Sequence, residues 1–369
     1  MKIKFLNLGR QYLSLKNEID FAISQVIEKS SFIKGEYVSN FEKEFAKKNN
    51  AKQCLSVANC TDALYIALKT LGVSYGDEVI LPAHTWISTA EVIVQLGAQP
   101  IFVEVDDYFT IDTNKIESKI TNKTKCIIAV HLFGQMCDMS ELSIICERND
   151  LFLVEDCAQS HFSMYNNTYA GLHGDIGTFS FYPGKNLGAF GDAGAIITND
   201  SRIEERARMF ANHGGLKKHE HNIFGINSRM DGIQAAVLSV KLKFILEWNQ
   251  RRIEIANIYN QHLSLIEEIK LPLVRKSTIH SFHQYVIKTK DRDSLKKFLF
   301  DNGIDTLIHY PKALPFIDIF KKNVENKDEF EKSFINQNEM LSLPIYPELN
   351  DNEIDYIISS IKKFFLHEE

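Results

Sequence analysis

Leu151-Phe-Leu-Val-Glu-Asp156-Cys-Ala-Gln159-Ser-His161 holds the pattern that fixes the fold class of this chain. Four apolar residues run without alternation and end on an acid pair. A strand with one wet face alternates, whereas a continuous apolar run marks a strand covered on both faces, as in a parallel or mixed α/β sheet. The acid then stands at the carboxyl end of the strand, where open α/β sheets bind their ligands. Similar runs recur on both sides at Val79–Leu81, Pro100–Val105, Cys126–His131, Thr178–Tyr182 and Ala195–Thr198, with a short one at Gln53–Val57. Helical stretches fall between them at Thr89–Leu96, Asn114–Lys119, Met139–Arg148 and Ile203–Ala211. This alternation predicts an α/β fold, a central mostly parallel sheet flanked by helices.

Before the sheet, Glu18–Lys48 reads as helix with a break at Gly35, and Cys60-Thr-Asp-Ala-Leu64 opens a helix through about Leu71. A long helix is expected over Arg229–Tyr259. The remainder is richer in Lys, Asn and Glu, with a strand at Gln284–Thr289 and a helix at Ser294–Asn302. Ile308–Pro315 and Leu341–Pro347 read as turn-rich. The composition shift places a large domain at residues 1–245 and a smaller C-terminal α+β domain at 246–369.

The apolar fraction of 44% and charged fraction of 24% are those of a soluble globular protein. A net charge of −6 argues against a general nucleic-acid binder. No apolar run approaches a membrane span, and the opening MKIKFLNLGRQYLSL has no signal-peptide core, so a cytoplasmic location is expected. Cysteines at 54, 60, 126, 137, 146 and 157 include no C-x-x-C pair and no zinc-like spacing with histidine; buried free thiols and no metal are expected.

Four segments carry candidate chemistry. In Phe179-Ser-Phe-Tyr-Pro-Gly-Lys185-Asn-Leu-Gly-Ala, one lysine sits among aromatics and glycines. Burial there would favour a neutral, nucleophilic amine, although a turn lysine that snorkels to solvent fits as well. Asp156 could hold a pyridinium nitrogen protonated or simply cap a helix, and Gln159 is placed to hydrogen-bond a phenolic oxygen. Val57-Ala-Asn-Cys60-Thr61-Asp62 sets backbone N–H groups at a helix start, a seat for a phosphate or an ordinary cap; Ser180 could add a hydroxyl. Asp62 must then point elsewhere. Trp86, in Ala83-His-Thr-Trp86, could stack on an aromatic ring or belong to core.

In order and wording these segments resemble the DegT/DnrJ/EryC1/StrS family of sugar aminotransferases, which depend on pyridoxal 5′-phosphate (PLP) and adopt the aspartate aminotransferase-like fold (PLP fold type I). The likeness spans almost the whole chain. It includes Phe5-Leu-Asn-Leu8, Pro82-Ala-His-Thr-Trp-Ile87, Val130-His-Leu-Phe-Gly-Gln135, Val154-Glu-Asp-Cys-Ala-Gln-Ser-His161, Phe181-Tyr-Pro-Gly-Lys-Asn-Leu-Gly-Ala189, Asn227-Ser-Arg-Met-Asp-Gly-Ile-Gln-Ala-Ala236 and Leu341-Ser-Leu-Pro-Ile-Tyr-Pro347. The resemblance implies that Lys185 carries PLP as a Schiff base and acts as the catalytic base. It implies that Asp156 binds the ring nitrogen, Gln159 the phenolic oxygen, and that Trp86 stacks on the ring. Cys60, Thr61 and Ser180 would hold the phosphate, joined by Asn227 from the partner subunit of a homodimer with shared active sites. The family's phosphate loop usually has glycine where Cys60 stands.

The same likeness implies L-glutamate as amino donor and a nucleotide-linked keto-deoxysugar as acceptor, closest to the branch that converts dTDP-3-keto-6-deoxyhexoses into 3-amino sugars of surface polysaccharides. Tyr182, His213, His309 and Tyr310 are the candidate sugar contacts, and Lys217-Lys218-His219 is a basic loop that could meet a diphosphate or simply be solvated. Amination at C4 is the alternative. The related 3-dehydratases carry histidine in place of the lysine. A PLP-binding regulator would need a DNA-binding appendage, which the chain lacks, and no G-x-G-x-x-G supports a nicotinamide enzyme.

Overall fold

The computed structural model describes residues 1–217, 219–321 and 327–366. Three helices open the chain: α1 (Leu8–Ser14), α2 (Lys16–Glu28) and α3 (Glu36–Asn49), the last two separated where Gly35 takes a φ of 81°. Strands and helices then alternate as β1 (Gln53–Val57), α4 (Cys60–Thr70), β2 (Glu78–Pro82), α5 (Ser88–Gln95), β3 (Gln99–Val103), β4 (Thr124–Val130), α6 (Met139–Asn149) and β5 (Phe152–Asp156). A small hairpin, β6 (Met164–Tyr165) and β7 (Thr168–Tyr169), precedes β8 (Ile176–Ser180), β9 (Gly194–Thr198) and α7 (Ser201–Ala211).

The large sheet has seven strands in the order β1-β9-β8-β5-β4-β2-β3. Neighbours are parallel except at β9, which runs antiparallel to both β8 and β1. All residues of β2, β8 and β9 are buried, which is why their sequences do not alternate. On one face, Phe41 and Phe45 of α3, one helical turn apart, meet Phe179 and Phe181 edge to face with centroids 5.1 to 5.3 Å apart. Fully burying such a side chain contributes about 1.5–3 kcal/mol. This cluster therefore anchors the end of β8 firmly, just before Lys185.

Several expectations change. Arg229–Tyr259 is two helices, α8 (Gly232–Leu242) and α9 (Ile245–Leu263). Between them Lys243 and Phe244 bond to the carbonyls of Val240 and Lys241, three residues back, so the ladder tightens and breaks while the apolar pattern runs on. Asn114–Lys119 forms two short 3₁₀ turns rather than a helix. Leu341–Pro347 is not all turn: β12 (Met340–Leu343) pairs antiparallel with β11 (Tyr285–Lys288). A short strand β10 (Thr278–Ile279) joins the β6–β7 hairpin. Around β11 and β12 lie α10 (Arg292–Asp301), α11 (Glu331–Glu339) and α12 (Asp351–Leu366). A separate core gathers Tyr259, Tyr285, Leu341, Ile357 and their neighbours, together with Ile3 from the other end of the chain. All six cysteines are buried and unpaired. Among the described residues no helix is long and apolar enough to cross a membrane.

Candidate active site

The carboxyl ends of the parallel strands converge on a cavity of about 940 Å³. β5 brings Asp156 to its wall and Gln159 follows three residues on. β8 brings Ser180, and the turn after it brings Tyr182 and Lys185. The β1–α4 junction supplies Cys60 and Thr61, the segment after β2 supplies Trp86, and His309 and Tyr310 close the far side. Of the expected residues, Asn227 and His213 stand outside this cavity. Asn227 is exposed and pairs with Asn212 across an antiparallel bridge. His213, at φ 57°, donates its N–H to the Ile226 carbonyl within the same loop. Of the basic loop, Lys217 pairs with Glu220 at 3.9 Å, Lys218 lies outside the described residues, and neither Lys217 nor His219 lines the cavity.

Lys185 is held by its backbone. Its N–H donates to the Tyr182 carbonyl at 2.9 Å. Asn186, next to it, donates from its amide to Asn249 Oδ1 (2.8 Å) and the Ser281 carbonyl (3.1 Å). Asn186 Oδ1 is left to accept, so His283, 3.0 Å away, carries its proton on Nδ1. The Lys185 amine itself makes no hydrogen bond or ion pair among the described residues. Burial pushes it below the ordinary lysine value, against the nearby Asp156 and Cys60. An amine so placed is neutral at lower pH than a surface lysine and free to attack a carbonyl.

Asp156 is 6% exposed. Thr89 Oγ1 donates to one oxygen at 3.2 Å and the Ala158 N–H to the other at 3.1 Å. Burial raises its carboxyl, partly offset by those donors and by Lys185. Behind it, Glu155 accepts from His131 Nε2 (2.9 Å) and from the N–H groups of Gly171 (2.9 Å), His173 (2.7 Å) and Gly174 (2.7 Å). His131, Glu155 and Cys157 lie close enough to suggest a metal cluster. However, Nδ1 of His131 already accepts the Cys137 N–H and both Glu155 oxygens are filled, so the group reads as a satisfied structural network.

At the start of α4, Asn59 Oδ1 accepts the Asp62 N–H at 2.8 Å. Cys60 and Thr61, the first two residues of α4, line the cavity together with Ser180, and their N–H groups have no partner within the helix. Asp62 is turned away and accepts from Ser228 at 2.6 Å, so its charge does not oppose an anion there. Gly194 permits this approach: a Cβ on it would lie 2.5 Å from the Asn59 carbonyl carbon. Gln159 is pre-set, with Oε1 accepting the Phe133 N–H (2.7 Å) and its amide donating to the Tyr310 hydroxyl (2.9 Å). Trp86 is 57% exposed, its ring 5.3 Å from that of Tyr310. His309 Nδ1 meets Ser342 Oγ at 2.8 Å, and burial lowers it to about 4.

Donors for a phosphate, a carboxylate for a ring nitrogen, an aromatic face and an unpartnered amine thus line one cavity, and this set fits PLP. Sequence reasoning missed Thr89, His84 (whose Nε2 accepts the Tyr310 N–H at 3.0 Å), His283, Lys2 and Lys4. His84 stands inside the Pro82–Ile87 motif with no role read for it there; the other four lie outside any motif, and long-range pairing brings them in.

Comparison with known proteins finds relatives over the whole chain. A relative from Aneurinibacillus thermoaerophilus named dTDP-3-amino-3,6-dideoxy-alpha-D-galactopyranose transaminase is 40% identical, covering 98% of this chain and 99% of its own. One from Geobacillus stearothermophilus named pleiotropic regulatory protein is 39% identical over the full length of both. Other relatives carry names for UDP- and GDP-linked sugars. The solved structure of S. venezuelae DesV in complex with a ketimine intermediate superposes with a TM-score of 0.97 at 35% identity, covering both chains completely. The aspartate aminotransferase-like expectation for the fold therefore holds. The family model for the DegT/DnrJ/EryC1/StrS aminotransferase family matches residues 13–362, and the chain belongs to that family.

Proposed function

We propose that this protein transfers an amino group from L-glutamate to a nucleotide-linked keto-deoxysugar, with a dTDP-3-keto-6-deoxyhexose as the acceptor and the 3-amino-3,6-dideoxy sugar as product. The observation that carries the reading is the unpartnered, charge-disfavoured amine of Lys185 sharing a cavity with the buried carboxylate of Asp156. PLP, when bound, supplies the electron sink that makes a Cα–H bond acidic.

The residues divide the remaining work. The first turn of α4, with Thr61 and Ser180, binds the phosphate through oriented N–H and O–H donors. Asp156, steadied by Thr89 and Ala158, keeps the ring nitrogen protonated. Gln159 orients the opposite ring edge, and Trp86 covers a face. Lys185 Nζ first holds the cofactor and then, once released, takes the proton from the donor's Cα and delivers it on the same side of the site, as a general base of lowered pKa does. Tyr182, His309 and Tyr310 line the space for the acceptor sugar.

A homodimer with shared active sites belongs to the same reading, Asn227 serving the partner's phosphate. Phe224 is 100% exposed with Ile223 and Leu216 half exposed beside it, an apolar surface that an interface would cover. Relatives named for dTDP-linked 3-amino sugars support the acceptor and its regiochemistry. One relative's name favours a second reading, a regulator that binds PLP without turnover. Incubation with L-glutamate and dTDP-3-keto- or dTDP-4-keto-6-deoxyhexose, followed by NMR of the product, tests both. Nitrogen at C3 is expected. Nitrogen at C4 overturns the acceptor, and failure of every keto sugar to react favours the regulator.

A further inference from the structure

The cavity wall includes residues from the beginning of the chain that the reaction described above does not use. Ile3 forms a parallel bridge with Ile304. Its N–H donates to the Gly303 carbonyl at 2.8 Å, and its carbonyl accepts the Asp305 N–H at 2.9 Å. Gly303 allows this contact, since a Cβ there would lie 2.3 Å from the Met1 carbonyl oxygen. Side chains on extended backbone alternate between faces. Ile3 is 1% exposed and belongs to the core around β11 and β12. Lys2 and Lys4 therefore point the other way, and both line the cavity.

Neither lysine forms an ion pair or hydrogen bond among the described residues. Two residues of extended chain separate them by about 7 Å, close enough for two ammonium groups to share one dianionic ligand. The cavity as a whole has no cationic field: Asp156, Asp192 and Asp305 line it as well as Lys2, Lys4 and Lys185. An anion must then be met locally. Lys185 and the α4 start serve the cofactor, which leaves the lysine pair of the N-terminal segment for a second anionic group.

We propose that Lys2 and Lys4 form the subsite for the diphosphate of the nucleotide-linked acceptor. The assignment rests on the reading that the acceptor is a nucleotide sugar. It places the diphosphate on a segment pinned to residues 303–305, which lines the cavity of the same chain. The sugar then extends inward past His309 and Tyr310.

Calorimetric titration of the PLP-loaded protein with dTDP tests this. Wild type is expected to bind, and the double variant Lys2→Gln/Lys4→Gln to bind about tenfold or more weakly. The gap should narrow as salt is added, because exposed charges are screened. A control with the same charge loss, Lys43→Gln/Lys47→Gln on the exposed face of α3, is expected to bind as wild type. Unaltered dTDP affinity in the Lys2/Lys4 variant, no dTDP binding by wild type, or equal loss in the control would each overturn the subsite. Near-ultraviolet circular dichroism of each variant separates loss of binding from loss of fold. The amino-transfer reading is judged separately, by whether L-glutamate converts the bound cofactor in wild type.

Discussion

Replacing Glu155 with glutamine is the sharpest test of how the site is supported. The two carboxylate oxygens accept four buried hydrogen bonds, from His131 Nε2 and from the N–H groups of Gly171, His173 and Gly174. An amide keeps one acceptor oxygen and turns the other into an NH₂ donor. Whichever way it faces, two donors lose their acceptor. If it faces His173 and Gly174, two backbone N–H groups meet a donor. If it faces His131 and Gly171, the imidazole could switch its proton to Nδ1 only by opposing the Cys137 N–H it now accepts at 3.2 Å. At about 1.5–3 kcal/mol for each bond to a charged group, two lost bonds amount to roughly 3–6 kcal/mol. That is a large share of the ~5–15 kcal/mol that holds a native protein together.

Urea unfolding of the Glu155→Gln variant should show a lower midpoint at unchanged slope. Acid should close the gap. Burial works against the Glu155 charge, but His131 and the backbone donors outweigh it and hold the carboxyl below the ordinary value of 4.5. Its contribution is therefore present above that value and lost as pH falls through the lowered one. A loss under about 1 kcal/mol at neutral pH would falsify the view that Glu155 organises the segment behind Asp156.

Other outcomes follow from the same geometry. PLP capture by the cofactor-free protein should speed up with pH and level off below 10.5, the ordinary lysine value, because the lowered Lys185 supplies neutral amine early; a midpoint at 10.5 in stopped-flow absorbance contradicts this. Asp156→Asn should cut turnover by about 10²–10³-fold with the fold intact, measured as product formed per loaded site. Thr89→Val removes one of two donors to Asp156 and should lower turnover only about fivefold, near 1 kcal/mol, in the same assay. Gly194→Ala should cost about 1–3 kcal/mol in urea unfolding and weaken PLP retention on dialysis, since the new Cβ meets the Asn59 carbonyl carbon at 2.5 Å.

What could be read in the sequence was local. β5 and Asp156 were visible because a strand covered on both faces writes itself as an apolar run with its acid at the end. Lys185, Trp86 and Thr61 follow strand ends and Ser180 closes β8, but each also fitted an ordinary structural role, and it was the family resemblance that joined them. Asp62, expected to face away, does so through Ser228, more than 160 positions later. The residues that stayed hidden are those whose place depends on distant pairing. Lys2 and Lys4 reach the cavity only because Ile3 bridges Ile304. Thr89 finds Asp156 across the sheet, and His283 finds Asn186 from another core. The α8–α9 break was invisible because Lys243 and Phe244 keep a helical periodicity while their hydrogen bonds shift by one residue.

Everything proposed for the site depends on Lys185 being the residue that holds the cofactor. Borohydride reduction of the PLP-loaded protein, followed by digestion and peptide mass spectrometry, tests it directly. One pyridoxyl label is expected, on the peptide containing Lys185, with no label and no turnover in Lys185→Ala. A label on another lysine, or a Lys185→Ala variant that still transaminates at the wild-type rate, would contradict it.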